Sequence, residues 1–484
     1  MNKIILVQIN YSQDHSEKVL PLGILSVGSS LKRAGYDVEL INITEREIDQ
    51  TVKRVIAQSP LYVGLTVMTG VQTRHSAEFS KKIKQKSKIP VIWGGIHPSL
   101  LPKQCLQEDY IDYVVISEGE ISIIDLTQKI IDGKEPLDVP GIAYKKDNQV
   151  VINSWRSFIN NLDDYRSDFS LIDPNEFIFP LSQYKRVFVY KASRGCPFNC
   201  AFCYNNAFNQ NKWRFWSVEA VVKDINWLKQ SYQIDAIKFY DDNFFVDKSR
   251  ALAILEQINL PAHVEIRIDS LDDNLAGRLK ELKVFDMLIG VESGSNRLLK
   301  MIDKNFTVDK ILETVKIIAK YDLPATYSAI VGLPTETKEE FEATIDLFYN
   351  IYKIHSKAVF SLGAYLPYPG SKMYDFAISE GFNPPERTED WGNIDRFRQD
   401  FSSPWVDAKK VWRIREYFKF LNWKLGPVIW WFKWRIKHRF FMFPVDIYVI
   451  EYLSSIALEQ KGIIGKLMRK TYNLIKHKKV NHGL

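Results

Sequence analysis

Between residues 4 and 131, short apolar runs alternate with amphipathic segments of helical period, a pattern that calls for a parallel sheet covered by helices on both faces. Strands are expected at Ile4 to Ile9, Val38 to Ile43, Tyr62 to Thr66, Val91 to Gly94 and Tyr113 to Ile116. Helices are expected at Leu22 to Ala34, Glu45 to Gln58, Thr73 to Lys86 and Glu120 to Ile131, with Gly35 as a left-handed cap. This predicts a doubly wound α/β domain whose ligand crevice lies beyond the carboxyl ends of the strands. The loops there are Asn10 to Pro21, Thr66 to Val71, Gly94 to Pro98 and Ser117 to Gly119. Neither a GxGxxG nor a P-loop occurs.

A connecting region follows, with a hairpin expected around Asp147-Asn148 and a polar stretch from Asn161 to Pro174. Six further strands are expected near Val187 to Ser193, Ala236 to Tyr240, His263 to Ile268, Met287 to Val291, Thr326 to Val331 and Ala358 to Leu366, with five helical segments between them. They suggest an incomplete barrel, a partial (β/α)6, with its functional residues at the carboxyl ends of the strands. Residues 1–135, 136–185, 186–385 and 386–484 are the expected first domain, connector, barrel and helical carboxyl-terminal region.

Of four cysteines, three lie within eight positions, as Cys196-Pro-Phe-Asn-Cys200-Ala-Phe-Cys203 after the first barrel strand. Four are too few for a disulfide framework in a chain of 484 residues, and the clustering points to a reducing, cytoplasmic setting. Three thiolates can ligate three irons of a 4Fe-4S cube and leave the fourth open. A zinc site would need a second cysteine pair downstream, which the sequence lacks. Cys105 lies in an amphipathic segment of the first domain and reads as a buried thiol.

CxxxCxxC in this position resembles the radical S-adenosylmethionine (SAM) superfamily. The resemblance implies SAM bound at the open iron of Cys196, Cys200 and Cys203 and cleaved reductively to a 5′-deoxyadenosyl radical. By the same resemblance Phe202 packs against the adenine. In Lys238-Phe-Tyr240-Asp241-Asp242-Asn-Phe either aspartate receives the SAM ammonium, in place of the commoner Gly-Gly-Glu. Arg267 pairs with the SAM carboxylate or belongs to an ordinary salt bridge. Glu292 and Ser293, in Gly290-Val-Glu-Ser-Gly294, face the ribose. Val331-Gly332-Leu333 line the adenine, and Ala364 to Gly370 lie near the reacting centre.

Leu20-Pro-Leu-Gly-Ile24, Gly64-Leu-Thr66, Trp93-Gly94-Gly95-Ile-His97 and Ser117-Glu118-Gly119-Glu120 resemble the cobalamin-binding domain that precedes many such barrels. Thr66, Thr69, Gly70, Gly94, Gly95, His97, Glu118 and Gly119 are then the implied cobalamin neighbours, with His97 also readable as a polar loop histidine. Asp14-His15 lacks the spacing that supplies a lower axial histidine in other cobalamin proteins, so the lower face of cobalt is expected to lack that ligand. Two reactions fit: methylation of an unactivated carbon, or a cyclisation, rearrangement or oxidation without methyl transfer. A metal-stabilised binding protein is the non-enzyme reading. No catalytic acid or base is evident. The implied partners are a small-molecule or lipid-like substrate and an electron donor such as flavodoxin or ferredoxin.

Charge separates the last 80 residues from the rest. From Trp405 to Leu484 there are 17 Lys and Arg against 5 Asp and Glu, a net of +12, which leaves −5 for the other 404 residues of a chain at +7 overall. Six of the 12 tryptophans lie there too. Within it, Trp423 to Phe443 interleaves aromatics with cations. That run suits a peripheral membrane surface, with Lys433, Arg435, Lys437 and Arg439 toward anionic lipid, or a helical lid whose aromatics are core. Single-stranded nucleic acid is the least favoured partner, since no recognised module surrounds the run. Phe440 to Leu458 is interrupted by Asp446 and Glu451, which argues against a spanning helix. Met1 to Asn10 reads as a buried strand rather than a signal peptide.

Overall fold

The computed structural model describes residues 3–10, 19–395, 401–419, 421, 426–441 and 446–447. Asp14, His15, Trp423 and everything beyond 447 therefore lie outside the described residues. The chain divides into two compact units. The first comprises Met1–Phe177, Ser193–Ala220 and Leu366–Phe401, and the second Ile178–Ala192, Val221–Tyr365 and Ser402–Leu484.

The first unit is built on a seven-stranded sheet of order β2-β1-β3-β4-β5-β6-β7, with β1 Lys3–Asn10, β2 Asp37–Thr44, β3 Tyr62–Thr66, β4 Val91–Gly94, β5 Tyr113–Val115, β6 Ile142–Lys146 and β7 Gln149–Ile152. β1 to β5 are parallel, and the hairpin β6-β7 adds two antiparallel strands beside β5. The hairpin turns at Asp147 and Asn148, both at positive φ (+50° and +62°), the geometry that Asp and Asn tolerate in a tight two-residue turn. Ile5, Val7 and Val63 pack with Val52 and Phe79 on one face, while Ile4, Leu6 and Ile92 pack with Leu31 and Leu126 on the other. Helices Ile48–Gln58 and Val71–Lys86 thus cover one face and Leu22–Arg33 and Ser122–Ile131 the other. The order reverses between β1 and β3, which puts the crevice of such a sheet at the ends of those strands.

The second unit carries a seven-stranded open sheet. Its strands are β8 Phe179–Leu181, β9 Tyr184–Tyr190, β12 Ala236–Phe239, β13 Ala262–Arg267, β14 Val284–Glu292, β15 Ala325–Val331 and β16 Ala358–Ala364, in the order β16-β15-β14-β13-β12-β9-β8. Six strands are parallel, as the alternation predicts, and β8 is an antiparallel edge. The pair omitted from this count, β10 Ser193–Arg194 and β11 Arg214–Phe215, is an antiparallel ladder of the first unit. Helices in the second unit start where side chains can cap them: Asp247, Asp272, Thr307 and Thr337 each accept a hydrogen bond from the third backbone amide of the following helix.

The described part of the carboxyl-terminal region corrects one expectation about its charges. Helix Ala408–Lys419 buries Val411, Ile414, Tyr417 and Phe418, and helix Gly426–Lys437 buries Phe432, Arg435 and Ile436. Arg435 pairs with Asp446 at 2.6 Å and lies 4.8 Å over the Tyr417 ring, so it faces the interior rather than a lipid surface. Arg439 is likewise taken up, by Glu342 and Asp346 at 2.7 Å. Each cation lies where a carboxylate neutralises it, which a charge count cannot reveal. Trp430, Trp431 and Trp434 face outward, the last two stacked at 5.3 Å. Among the described residues no helix is long and apolar enough to cross a membrane.

Candidate functional site

The cysteine loop belongs to the first unit and is closed at its base by β10 and β11. Gly195 enters it at φ +78°, and a Cβ there would stand 2.1 Å from the carbonyl oxygen of Lys212, so the close approach of the two arms requires glycine. The Cys203 amide bonds the Cys200 carbonyl at 3.0 Å, and Asn206 Nδ2 donates to the same oxygen at 2.9 Å. None of the three is in a disulfide; Cys196 and Cys203 are half-buried, as is Phe202, and Cys200 is buried. Cys105 is wholly buried in the sheet core, where burial pushes its thiol well above the usual range.

In the second unit the SAM candidates follow the carboxyl ends of β12 to β15. Tyr240 is exposed, at 39%. The two aspartates after it differ: Asp241 is buried and its carboxylate accepts from the Ala192 amide at 3.0 Å, while Asp242 is half-buried and pairs with Lys191 at 3.4 Å. Arg250, also buried, donates to the Ala192 carbonyl at 2.8 Å, so Asp241 and Arg250 hold the backbone of one residue at its amide and its carbonyl. Arg267 spreads its fork over Asp269 at 2.8 and 3.0 Å and reaches the Lys304 carbonyl at 3.3 Å. Glu292 ends β14 at φ +60° and pairs with Lys304 at 2.8 Å, both side chains nearly buried. Its carboxylate lies over Gly290, where a Cβ would be 2.1 Å from Oε1. Ser293 is fully buried, 3.3 Å from the Thr344 hydroxyl. Val331 and Leu333 are fully buried as well, and Gly332 is covered by Val406, 2.2 Å from where its Cβ would be.

Sequence reasoning missed Lys304, Asp269 and Glu265. Glu265 stands two residues before Arg267 on β13; burial, with Asp242 and Asp241 nearby, raises its carboxyl to about 7 against the opposing pull of Lys238 and Lys191. Strand alternation puts Glu265 and Arg267 on one face, so the position was legible, but not the charges around it.

At the first unit's sheet edge, Thr66, Thr69, Gly94 and Gly95 are half-buried. Gly95 takes φ +93°, and a Cβ would stand 2.9 Å from both Thr66 Oγ1 and the Val67 amide nitrogen. His97 is completely buried: Nδ1 meets the Thr69 hydroxyl at 3.2 Å, the ring packs edge-on to Trp391 at 5.8 Å, and Nε2 has no partner among the described residues. Burial lowers its pKa to about 3, which keeps the ring neutral. Gly70 is also covered, by Asp395, whose carboxylate accepts from the Val71 amide at 2.9 Å. Gly119 is buried against Val27, and Glu118 bonds Arg194, Arg214 and the Ile159 amide.

Residues 190–348 match the Radical SAM superfamily and residues 16–126 the B12 binding domain. An uncharacterized methyltransferase of Pyrococcus horikoshii is 30% identical over 376 residues, covering 74% of this chain and 78% of that protein. The chain belongs to the radical SAM superfamily, in its B12-binding branch. An anaerobic magnesium-protoporphyrin IX monomethyl ester cyclase of Synechocystis sp. is 26% identical and covers 63% of each chain. Among solved structures, the radical SAM methyltransferase TsrM of Kitasatospora setae, with cobalamin and a 4Fe-4S cluster bound, shares the fold at a TM-score of 0.65 and 17% identity over 89% of each chain.

The protein is thus a radical SAM enzyme whose cofactors are a 4Fe-4S cluster, SAM and cobalamin. The residues present fit them. A cube takes one thiolate per iron, and the loop presents three cysteines outside any disulfide within eight positions. Among the described residues, no three His, Cys, Asp or Glu side chains converge as a single ion would require. For the corrinoid, the glycines after β4 leave backbone and the Thr66 hydroxyl at the crevice, and His97 presents an orphaned, neutral ring nitrogen behind them.

Proposed function

We propose that this enzyme methylates an unactivated carbon of a small-molecule or lipid-like substrate. The observation that carries the reading is the pairing, in one compact unit, of the three-cysteine loop with the doubly wound B12-binding sheet. When bound, the cluster supplies the electron that cleaves the SAM sulfonium, and cobalamin supplies a methyl carrier. The protein's own task is to hold and orient these groups and to keep water out. Cys196, Cys200 and Cys203 hold the cluster, and Phe202 lies beside them. Asp242 is the acceptor for the SAM ammonium, because it is half-buried beside Lys191 whereas Asp241 is buried on the Ala192 amide. Glu292 faces the ribose hydroxyls, and Arg267 shares its guanidinium between Asp269 and the SAM carboxylate. Thr66, Gly94 and Gly95 carry the corrinoid, with a flavodoxin- or ferredoxin-type protein as electron donor.

Two molecules of SAM are consumed per product in this reaction, one yielding S-adenosylhomocysteine and one 5′-deoxyadenosine. With methyl-labelled SAM, a strong reductant and added cobalamin, label is expected in the product in equal amount to 5′-deoxyadenosine. An unlabelled, cyclised or oxidised product would replace this reading with that of the cyclase relatives.

The outward face of Trp430, Trp431 and Trp434, with exposed Lys437 beside it, supports peripheral contact with an anionic membrane. Co-sedimentation with phosphatidylglycerol vesicles is expected to fade as salt rises and to be absent with phosphatidylcholine alone. No binding at low salt would remove the membrane from this picture.

A further inference from the structure

The ladder that closes the cysteine loop sets two arginines directly opposite each other, Arg194 on β10 and Arg214 on β11. Like charges at facing positions of an antiparallel pair repel, and both side chains are largely buried. The repulsion is removed from outside the ladder. Glu118 Oε1 accepts from Nη1 of Arg194 at 2.8 Å and also from Nη1 of Arg214. Arg194 Nη2 bonds Glu120 Oε1 at 2.6 Å and Ser26 Oγ at 2.8 Å, and the Ser26 hydroxyl itself donates to Glu120 at 2.7 Å. Arg214 Nη2 reaches Asn209 Oδ1 at 3.1 Å, within the cysteine loop. Trp216 lies 5.2 Å from the Arg194 guanidinium and Phe158 4.3 Å from that of Arg214, so aromatic rings cover both cations. Two carboxylates thus neutralise two guanidinia.

The carboxylates come from the segment that follows β5, and Ser26 from helix Leu22–Arg33. Of their partners, Arg194 immediately precedes Gly195 and Cys196, and Arg214 closes the far end of the loop. We propose that Glu118 and Glu120 are positioning residues for the cysteine loop: through Arg194 and Arg214 they lock it, and the cluster it holds, in register with the carboxyl edge of the B12-binding sheet. The loop's placement is then set by a neutral four-charge clamp rather than by loop length. A misplacement of about 1 Å between reacting groups is costly to rate. This inference rests on the proposed assignment of the cluster to Cys196, Cys200 and Cys203.

The test uses the full chain and begins without the cluster. In cluster-free protein, iodoacetamide labelling of each cysteine is followed by mass spectrometry, with buried Cys105 as the internal reference. Glu120→Gln, which removes one charge-assisted bond and leaves Glu118 in place, is expected to label Cys196, Cys200 and Cys203 about tenfold faster, since local opening becomes easier, while Cys105 is unchanged. Arg194→Gln should do the same, and Arg194→Lys should recover part of the protection. After reconstitution, Glu120→Gln should also reduce the change in the cluster's electron paramagnetic resonance signal on adding SAM. Unchanged labelling in Glu120→Gln and Arg194→Gln would overturn the inference, and so would a parallel rise at Cys105, which signals general loosening. If wild-type protein takes up no iron, the functional reading fails, while the labelling comparison still decides whether the clamp holds the loop.

Discussion

Replacing any one of Cys196, Cys200 and Cys203 by alanine is expected to abolish SAM cleavage in a chain that still folds. Each thiolate of a cube meets a different iron, so the remaining two cannot take over the missing corner. Cys105 offers no substitute, because it is wholly buried in the sheet core and burial holds its thiol protonated, whereas the ligand is the thiolate. The folding cost should be small, about 1 kcal/mol or less, because Cys196 and Cys203 are only half-buried and Cys200 lies at the edge of burial. Iron per chain and 5′-deoxyadenosine formation should fall to background while far-ultraviolet circular dichroism and the melting temperature stay near wild type. Cys105→Ala gives the opposite pattern, lower stability through a core cavity with the cluster kept. Wild-type iron content in any of the three loop variants would contradict this assignment.

The parts of the molecule that were legible in the sequence are those fixed by neighbours along the chain. The expected strand at Ile4 to Ile9 falls within β1, and Val91 to Gly94 is β4, because buried strands of a parallel sheet are continuous apolar runs. Gly35 adopts φ +90° and Asp147-Asn148 turn the hairpin as their turn chemistry dictates. What stayed hidden involves partners far apart in sequence. Glu118 looks like a cobalamin neighbour and Glu120 closes the same motif, and their carboxylates meet Arg194 and Arg214, 74 to 96 positions away. Around His97 and Gly70, Trp391 and Asp395 return from some 300 positions downstream, contacts that no local window announces. Arg435 reads as surface charge but is buried against Asp446, and Arg439, though exposed, is paired with Glu342 and Asp346. Periodicity and turn preference leave a mark in every short window, whereas an ion pair between distant segments leaves none. A charge read from sequence therefore carries no sign of whether water or a partner neutralises it.

That distinction decides what Glu292 does, and a pair of substitutions separates its two possible roles. Glu292→Gln alone breaks an ion pair with a Lys304 ammonium that is 8% exposed, and breaking a buried pair from one side costs about 3–5 kcal/mol. The melting temperature should drop by many degrees. The amide nearly matches the carboxylate in shape, so the close fit over Gly290 survives and charge, rather than packing, accounts for the loss. Adding Lys304→Met removes the opposing charge as well and should restore most of the stability, since a neutral pair of similar volume replaces the ion pair. If Glu292 serves only as the counter-charge of Lys304, the double variant should bind SAM as wild type does. If its carboxylate also accepts the ribose hydroxyls, as proposed, SAM binding measured by calorimetry on the reconstituted protein should stay weakened, because an amide accepts less strongly than a carboxylate and its other arm is a donor. Recovered stability with lost affinity assigns Glu292 to the ligand; recovery of both confines it to Lys304.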